Sequence, residues 1–201
     1  MSRFKLATLI FALTSVYAWA IPPGKTEPVT VTVPGKIRNV ESKRQCKELL
    51  AKGGVFIFYD PSCPICAEYF PTIEELQARY SRKQPFYLIL KEADAKLAAE
   101  FVEKYNPHCG IMIDKNEELQ SSLKAQITPQ AFLVKASKTV YSGRIDDRYE
   151  SIGQRRTVIR SRDLEDALKA SSTGNRIAAR ETQAIGCFLE QIKKAGSKNR
   201  S

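Results

Sequence analysis

The sequence predicts an α/β fold, a central mixed β-sheet flanked by helices, and three observations carry that prediction. Short continuous apolar runs, "GVFIFY", "PFYLIL" and "GIMID", alternate with stretches whose apolar residues recur at three- and four-residue steps. Two further runs, "QAFLV" and "TVYSG", are separated only by the polar "KASK" and read as an antiparallel hairpin. Strand and helix alternation followed by a hairpin gives a sheet with parallel and antiparallel pairs and helices on both faces.

Each element follows from its local pattern. Residues 21–35, "IPPGKTEPVTVTVPG", carry proline punctuation and no helical period, so they read as an extended lead-in. "ESKRQCKELLAKGG" reads as a helix that starts near Glu41 or Ser42 and is closed by glycines. "VFIFY" is rich in aromatic and β-branched residues, as expected of a strand buried on both faces. From about Pro64, the spacing of Ala67, Phe70, Ile73, Leu76 and Tyr80 predicts a helix. "DAKLAAEFVEKY" is a further helix with Asp94 as its N-cap, and "NEELQSSLKAQ" a short one capped by Asn116. After Gly143 an arginine-rich connector runs through Arg162, a helix follows near "SRDLEDALKAS", and the remainder is polar. The expected organisation is a signal peptide at 1–20, the lead-in at 21–35, one domain over 36–170 and a polar tail at 171–201.

The first twenty residues have Arg3 and Lys5, a short apolar stretch, and the small-x-small triplet Ala18-Trp19-Ala20. They read as a cleaved secretory signal, because the apolar stretch falls short of the ~20 residues that a spanning helix needs. A periplasmic or secreted protein with no membrane span after cleavage is expected. Its mature part would hold 30 basic against 22 acidic residues. An exported chain has no nucleic acid to meet, so this excess reads as solubility or attraction to acidic surfaces.

All five cysteines, Cys46, Cys63, Cys66, Cys109 and Cys187, lie outside the signal. Cys63 and Cys66 form a Cys-x-x-Cys at a strand-to-helix junction, with Pro64 at the first helical position, where a missing N–H costs nothing. Unpaired N–H groups and the helix dipole favour a thiolate at Cys63, and Cys66, one turn deeper, then reads as the resolving thiol. Spacing alone also suits half of a zinc site.

These residues resemble the thioredoxin superfamily, and within it the exported thioredoxin-like redoxins of the alkyl hydroperoxide reductase and thiol-specific antioxidant type. Cys63-Pro64-Ile65-Cys66 follows the first central strand, Pro71 matches the proline that kinks the family's active-site helix, and Thr128-Pro129 stands where the family has its cis-proline. The strand and helix at 111–125 match an insertion common in exported members, and "YSGRIDDRY" and "ETQAIGC" are similar to segments of a bacterial redoxin subgroup. The resemblance implies a thioredoxin-like fold with a C-terminal extension and a thiol-disulfide oxidoreductase. Its substrates would be protein thiols or disulfides, held by the backbone of Thr128 at Pro129, and it would work with a separate redox protein and no bound cofactor or metal.

Departures from the family narrow the chemistry. The threonine or serine that precedes a peroxidatic cysteine is replaced by Asp60, which disfavours peroxide reduction. Ile57 stands where thioredoxins carry a buried acid, leaving Glu68 as a substitute whose plain reading is a solvated helix residue, and Ser62 replaces the usual tryptophan. Rival readings are a copper or zinc carrier, for which His108 and Cys109 would join the motif, and a non-catalytic binding module. Cys46 reads as an apolar packing residue. Cys187 reads first as structural, in a disulfide with Cys46 or Cys109, or else as an extra resolving thiol. The arginines at 144, 148, 155, 156, 160 and 162 read as ion-paired on a solvated surface with Asp146, Asp147, Glu150 and Asp163.

Overall fold

The computed structural model describes residues 37–189, so the signal and lead-in readings, with residues 190–201 of the tail, lie outside the described residues. The chain divides into two units, 1–31 and 32–201, and every described residue belongs to the second. In chain order the elements are β1 (Ile37–Val40), α1 (Lys43–Lys52), β2 (Gly54–Phe58), α2 (Pro64–Tyr80), β3 (Phe86–Lys91), α3 (Ala95–Tyr105), β4 (Gly110–Asp114) and α4 (Glu118–Leu123). Then come β5 (Ile127–Thr128), β6 (Gln130–Lys135), β7 (Lys138–Gly143), β8 (Tyr149–Ser151), β9 (Gln154–Arg155), α5 (Asp163–Thr173) and β10 (Cys187–Phe188).

Six strands form the central sheet in the order β1-β4-β3-β2-β6-β7. The pairs from β1 through β2 are parallel, and β6 runs antiparallel to both β2 and β7, so the sheet is mixed. The alternation of side chains along each strand sends Val55 and Ile57 to one face and Phe56 and Phe58 to the other. The first face packs on α2, α3 and α5 through Ile73, Leu76, Phe101 and Leu168, and the second on α1 and α4 through Cys46, Leu119 and Leu123. Ile57, Ile73 and Leu88 are fully buried, and burial of each such side chain contributes about 1.5–3 kcal/mol.

Several local details differ from expectation. β1 forms from "IRNV", which is too polar and too short to read as a strand, because β4 offers it a parallel edge. Of the two expected starts of α1 it is Ser42 that caps the helix, its hydroxyl accepting the Gln45 N–H at 3.3 Å. Asp94 stands at the N-cap of α3 without a side-chain cap bond, behind a 3-10 turn at Glu92–Asp94. Asn116 does not cap α4: its amide donates to the Glu41 carbonyl, and the buried carboxylate of Asp114 accepts the N–H groups of Leu119 and Gln120 instead. Asp114 wins because β4 delivers it at the end of a buried strand, below the helix entrance.

The arginine-rich connector is not wholly a solvated surface. Asp146, Asp147 and Arg148 are buried, and Arg148 bonds Asp146 at 2.7 Å while donating to the Glu68 carbonyl and to Thr72 on α2. The Glu68 carbonyl lies in the turn before Pro71, next to the Ala67 carbonyl that loses its helical partner because Pro71 has no N–H. Arginine thereby ties the connector to the proline turn. Residues near the end of the chain also dock: Ser142 on β7 donates to the Arg180 carbonyl at 2.9 Å and accepts the Thr182 N–H at 3.0 Å.

Candidate active site

β2 delivers the site, and a tight turn shapes it. The carboxylate of Asp60 accepts the Ser62 N–H at 2.7 Å and the Ser62 hydroxyl at 2.6 Å, and the Asp60 carbonyl accepts the Cys63 N–H at 3.1 Å. Aspartate favours such local side-chain turns, so the residue in the peroxidatic threonine position here builds the loop that leads to Cys63. Cys63 is the N-cap of α2, in extended backbone, and Pro64 opens the helix.

The two motif thiols sit in different electrostatic surroundings. Cys63 accepts hydrogen bonds from the Cys66 thiol, from the Cys187 thiol and from the N–H groups of Cys66 and Ile65, and against the cost of burial these hold it down to about 5. Cys66 is fully buried, and that desolvation, with the neighbouring Cys63, pushes it far above the ordinary thiol range. At neutral pH the pair is therefore one thiolate and one thiol.

Thr128-Pro129 is a cis peptide, and it closes the site from the other side. The Thr128 hydroxyl donates to the Phe58 carbonyl at 3.1 Å and lies 3.1 Å from the Cys66 sulfur, while its carbonyl oxygen is 3.8 Å from the Cys63 sulfur. Cys63, Cys66, Thr128 and Pro129 are thus brought together, all buried. Ile57 is in the core, and Glu68 is exposed and paired with Arg155 at 3.4 Å.

Of the remaining cysteines, Cys46 is the buried packing residue that its reading implied. Cys46 packs on α1 with its thiol 3.4 Å from the Ser122 hydroxyl and the Glu118 carbonyl. His108 and Cys109 both engage Glu74, at 2.6 Å and 3.7 Å, rather than turning to the motif. Among the described residues, no three His, Cys, Asp or Glu side chains are grouped so as to hold a metal ion. Cys187 reaches neither Cys46 nor Cys109: its sulfur lies 3.0 Å from that of Cys63. This placement suits the reading of Cys187 as an extra resolving thiol and not that of a disulfide with Cys46 or Cys109. All five thiols are free in this structure.

A family model described as TraF, F plasmid transfer operon protein, matches residues 28–142. Among solved structures, an uncharacterized conserved protein from Geobacillus kaustophilus is 19% identical, with a TM-score of 0.61 over 72% of this chain and 80% of that one. A hypothetical protein from Sinorhizobium meliloti is 17% identical, with a TM-score of 0.59 over 75% and 84%. A secreted Mycobacterium tuberculosis disulfide oxidoreductase, homologous to E. coli DsbE, is 22% identical with a TM-score of 0.45 over 61% and 84%. No curated protein matches the chain. The fold is thioredoxin-like.

Proposed function

Because the chain belongs to the family of TraF, the F plasmid transfer operon protein, we propose that it is an exported thiol-disulfide oxidoreductase that exchanges a Cys63–Cys66 disulfide with cysteines of other proteins. The observation that carries this reading is the position of Cys63 at the N-cap of α2, with the buried Cys66 thiol behind it and Thr128-Pro129 facing it. A thiolate attacks a client disulfide, a mixed disulfide forms, and a second protein thiol releases the client. Stabilising the Cys63 thiolate favours the dithiol form, which shifts the couple toward the oxidising side. No cofactor is required for this exchange, and the electrons pass to or from a separate redox protein.

Export is supported by Arg3, Lys5 and the Ala18-Trp19-Ala20 triplet. Insulin reduction by dithiothreitol tests the reaction. Acceleration by the wild-type protein that is lost in Cys63→Ser is the expected result, and equal rates with and without Cys63 would replace this reading with that of a binding module.

A further inference from the structure

The tail approaches the active site as a client would. β10 pairs antiparallel with β5 in the register Cys187 to Thr128 and Phe188 to Ile127, and the Leu189 N–H extends the ladder to the Gln126 carbonyl at 2.8 Å. An extended peptide that adds a strand to a sheet edge gains its affinity from such main-chain bonds. We propose that residues 186–188 are an internal client strand, and that Cys187 is a second resolving thiol that takes Cys63 from Cys66 or from a client. This rests on Cys63 being the exchanging thiol.

Three independent features support the seat. Gly186 is forced by proximity: a Cβ there would drive into the carbonyl of Thr128, so no other residue lets the strand come this close. Upstream, Thr182 fixes the approach, because its hydroxyl accepts the Arg144 N–H at 3.1 Å and meets the Tyr141 hydroxyl at 2.8 Å. Finally, Cys63 is only 3% exposed with the strand in place, whereas Cys187 itself remains partly exposed. A protein thiol seeking Cys63 must displace the tail, but one seeking Cys187 need not.

The chemistry needs no outside oxidant once one disulfide exists. Starting from Cys63–Cys66, the Cys187 sulfur attacks Cys63, the Cys63–Cys66 bond breaks, and the Cys63–Cys187 bond forms. The electron pair left on Cys66 takes up the proton that Cys187 lost, and the burial of Cys66 favours that neutral product. Starting from a mixed disulfide, the same attack on Cys63 expels the client as a thiol. Either route moves the disulfide from a buried pair to one with a partly exposed member, within reach of a dithiol on another protein.

The test uses the full chain with Cys66→Ser, reduced and then exposed to oxidised glutathione. Cys63 forms a mixed disulfide and releases one glutathione, and Cys187 then releases the second. Acid quenching and peptide mapping should show Cys63 linked to Cys187. Gly186→Val keeps both cysteines but lifts the strand, so, in a variant shown folded by its near-ultraviolet dichroism, linkage should slow by at least about tenfold. A lasting Cys63–glutathione adduct with Cys187 free, or an unchanged rate in Gly186→Val, overturns the internal strand while leaving the Cys63–Cys66 reading intact. Failure of Cys63 to take glutathione in any variant overturns both readings together.

Discussion

The guanidinium of Arg148 lies 4.1 Å from the centroid of the Tyr69 ring while it holds Asp146, whose carboxylate also accepts the Tyr69 hydroxyl at 3.0 Å. This buried knot joins the connector after β7 to α2. Removal of one ion leaves the other uncompensated, so Arg148→Ala is expected to cost about 3–5 kcal/mol in urea unfolding. Arg148→Met combined with Asp146→Asn should cost distinctly less, because no lone charge stays buried.

Alkylation of the fully reduced protein by iodoacetamide should modify Cys63 first, with a rate that rises through about pH 5 and then levels. The thiols of Cys66 and Cys187 also donate to it, so Cys187→Ala should move that midpoint upward. The same depression predicts a stability slope. Between pH 5 and the ordinary thiol value of 9.0, folded Cys63 is ionised and the unfolded thiol is not. Stability from this group is thus complete above pH 9.0 and lost as pH falls toward 5. Cys63→Ala should remove that slope from urea titrations of the reduced protein.

A client trap needs two substitutions. With Cys66 and Cys187 both positioned to resolve Cys63, Cys66→Ser alone should release clients slowly, whereas Cys66→Ser with Cys187→Ser should accumulate mixed disulfides on non-reducing gels. Cys63→Ser should accumulate none in any background. If it traps clients as well as the double variant does, the attacking thiol has been misassigned.

Asp114 is the N-terminal acceptor of α4. Asp114→Ala removes a bond to each of two helical N–H groups, and thermal unfolding should register a loss of about 1–2 kcal/mol. Asn116→Ala, which leaves the cap in place, should cost less.

Protein recovered from an exported fraction should begin at Ile21. Trp19 is the only tryptophan, so its emission should be that of tyrosine alone, and tryptophan fluorescence would show that the triplet is not the cleavage site.

Much of this was legible because it is written in local terms. β2, β3, β4 and β6 are runs of apolar residues buried on both faces, and α2 carries its period across four turns. The Cys63–Cys66 motif and Thr128-Pro129 were legible through resemblance to a known family, since nothing within either segment says that the two meet. What escaped depends on distant partners. β1, β8, β9 and β10 are between two and four residues long, and each forms only because another strand presents an edge. Asp146 and Arg148 read as solvated because charges usually are, and their burial required the arrival of Tyr69 and Thr72 from α2. Counting cysteines offered Cys46 and Cys109 as mates for Cys187, but only the packing of Gly186 on Thr128 shows where its sulfur goes.

The docking of Arg180 and Thr182 on Ser142 has a consequence outside catalysis. β7 is an outer strand of the central sheet, and a bare outer strand offers unpaired N–H and C=O groups on which a second molecule can template. The bonds to Ser142 consume them at one end of β7, and Gly143, where a Cβ would strike Thr182, lets the covering chain lie flat against it. Proteolytic loss of the residues after 179 would therefore leave a sticky flank on an otherwise intact sheet, and self-association would be its first symptom.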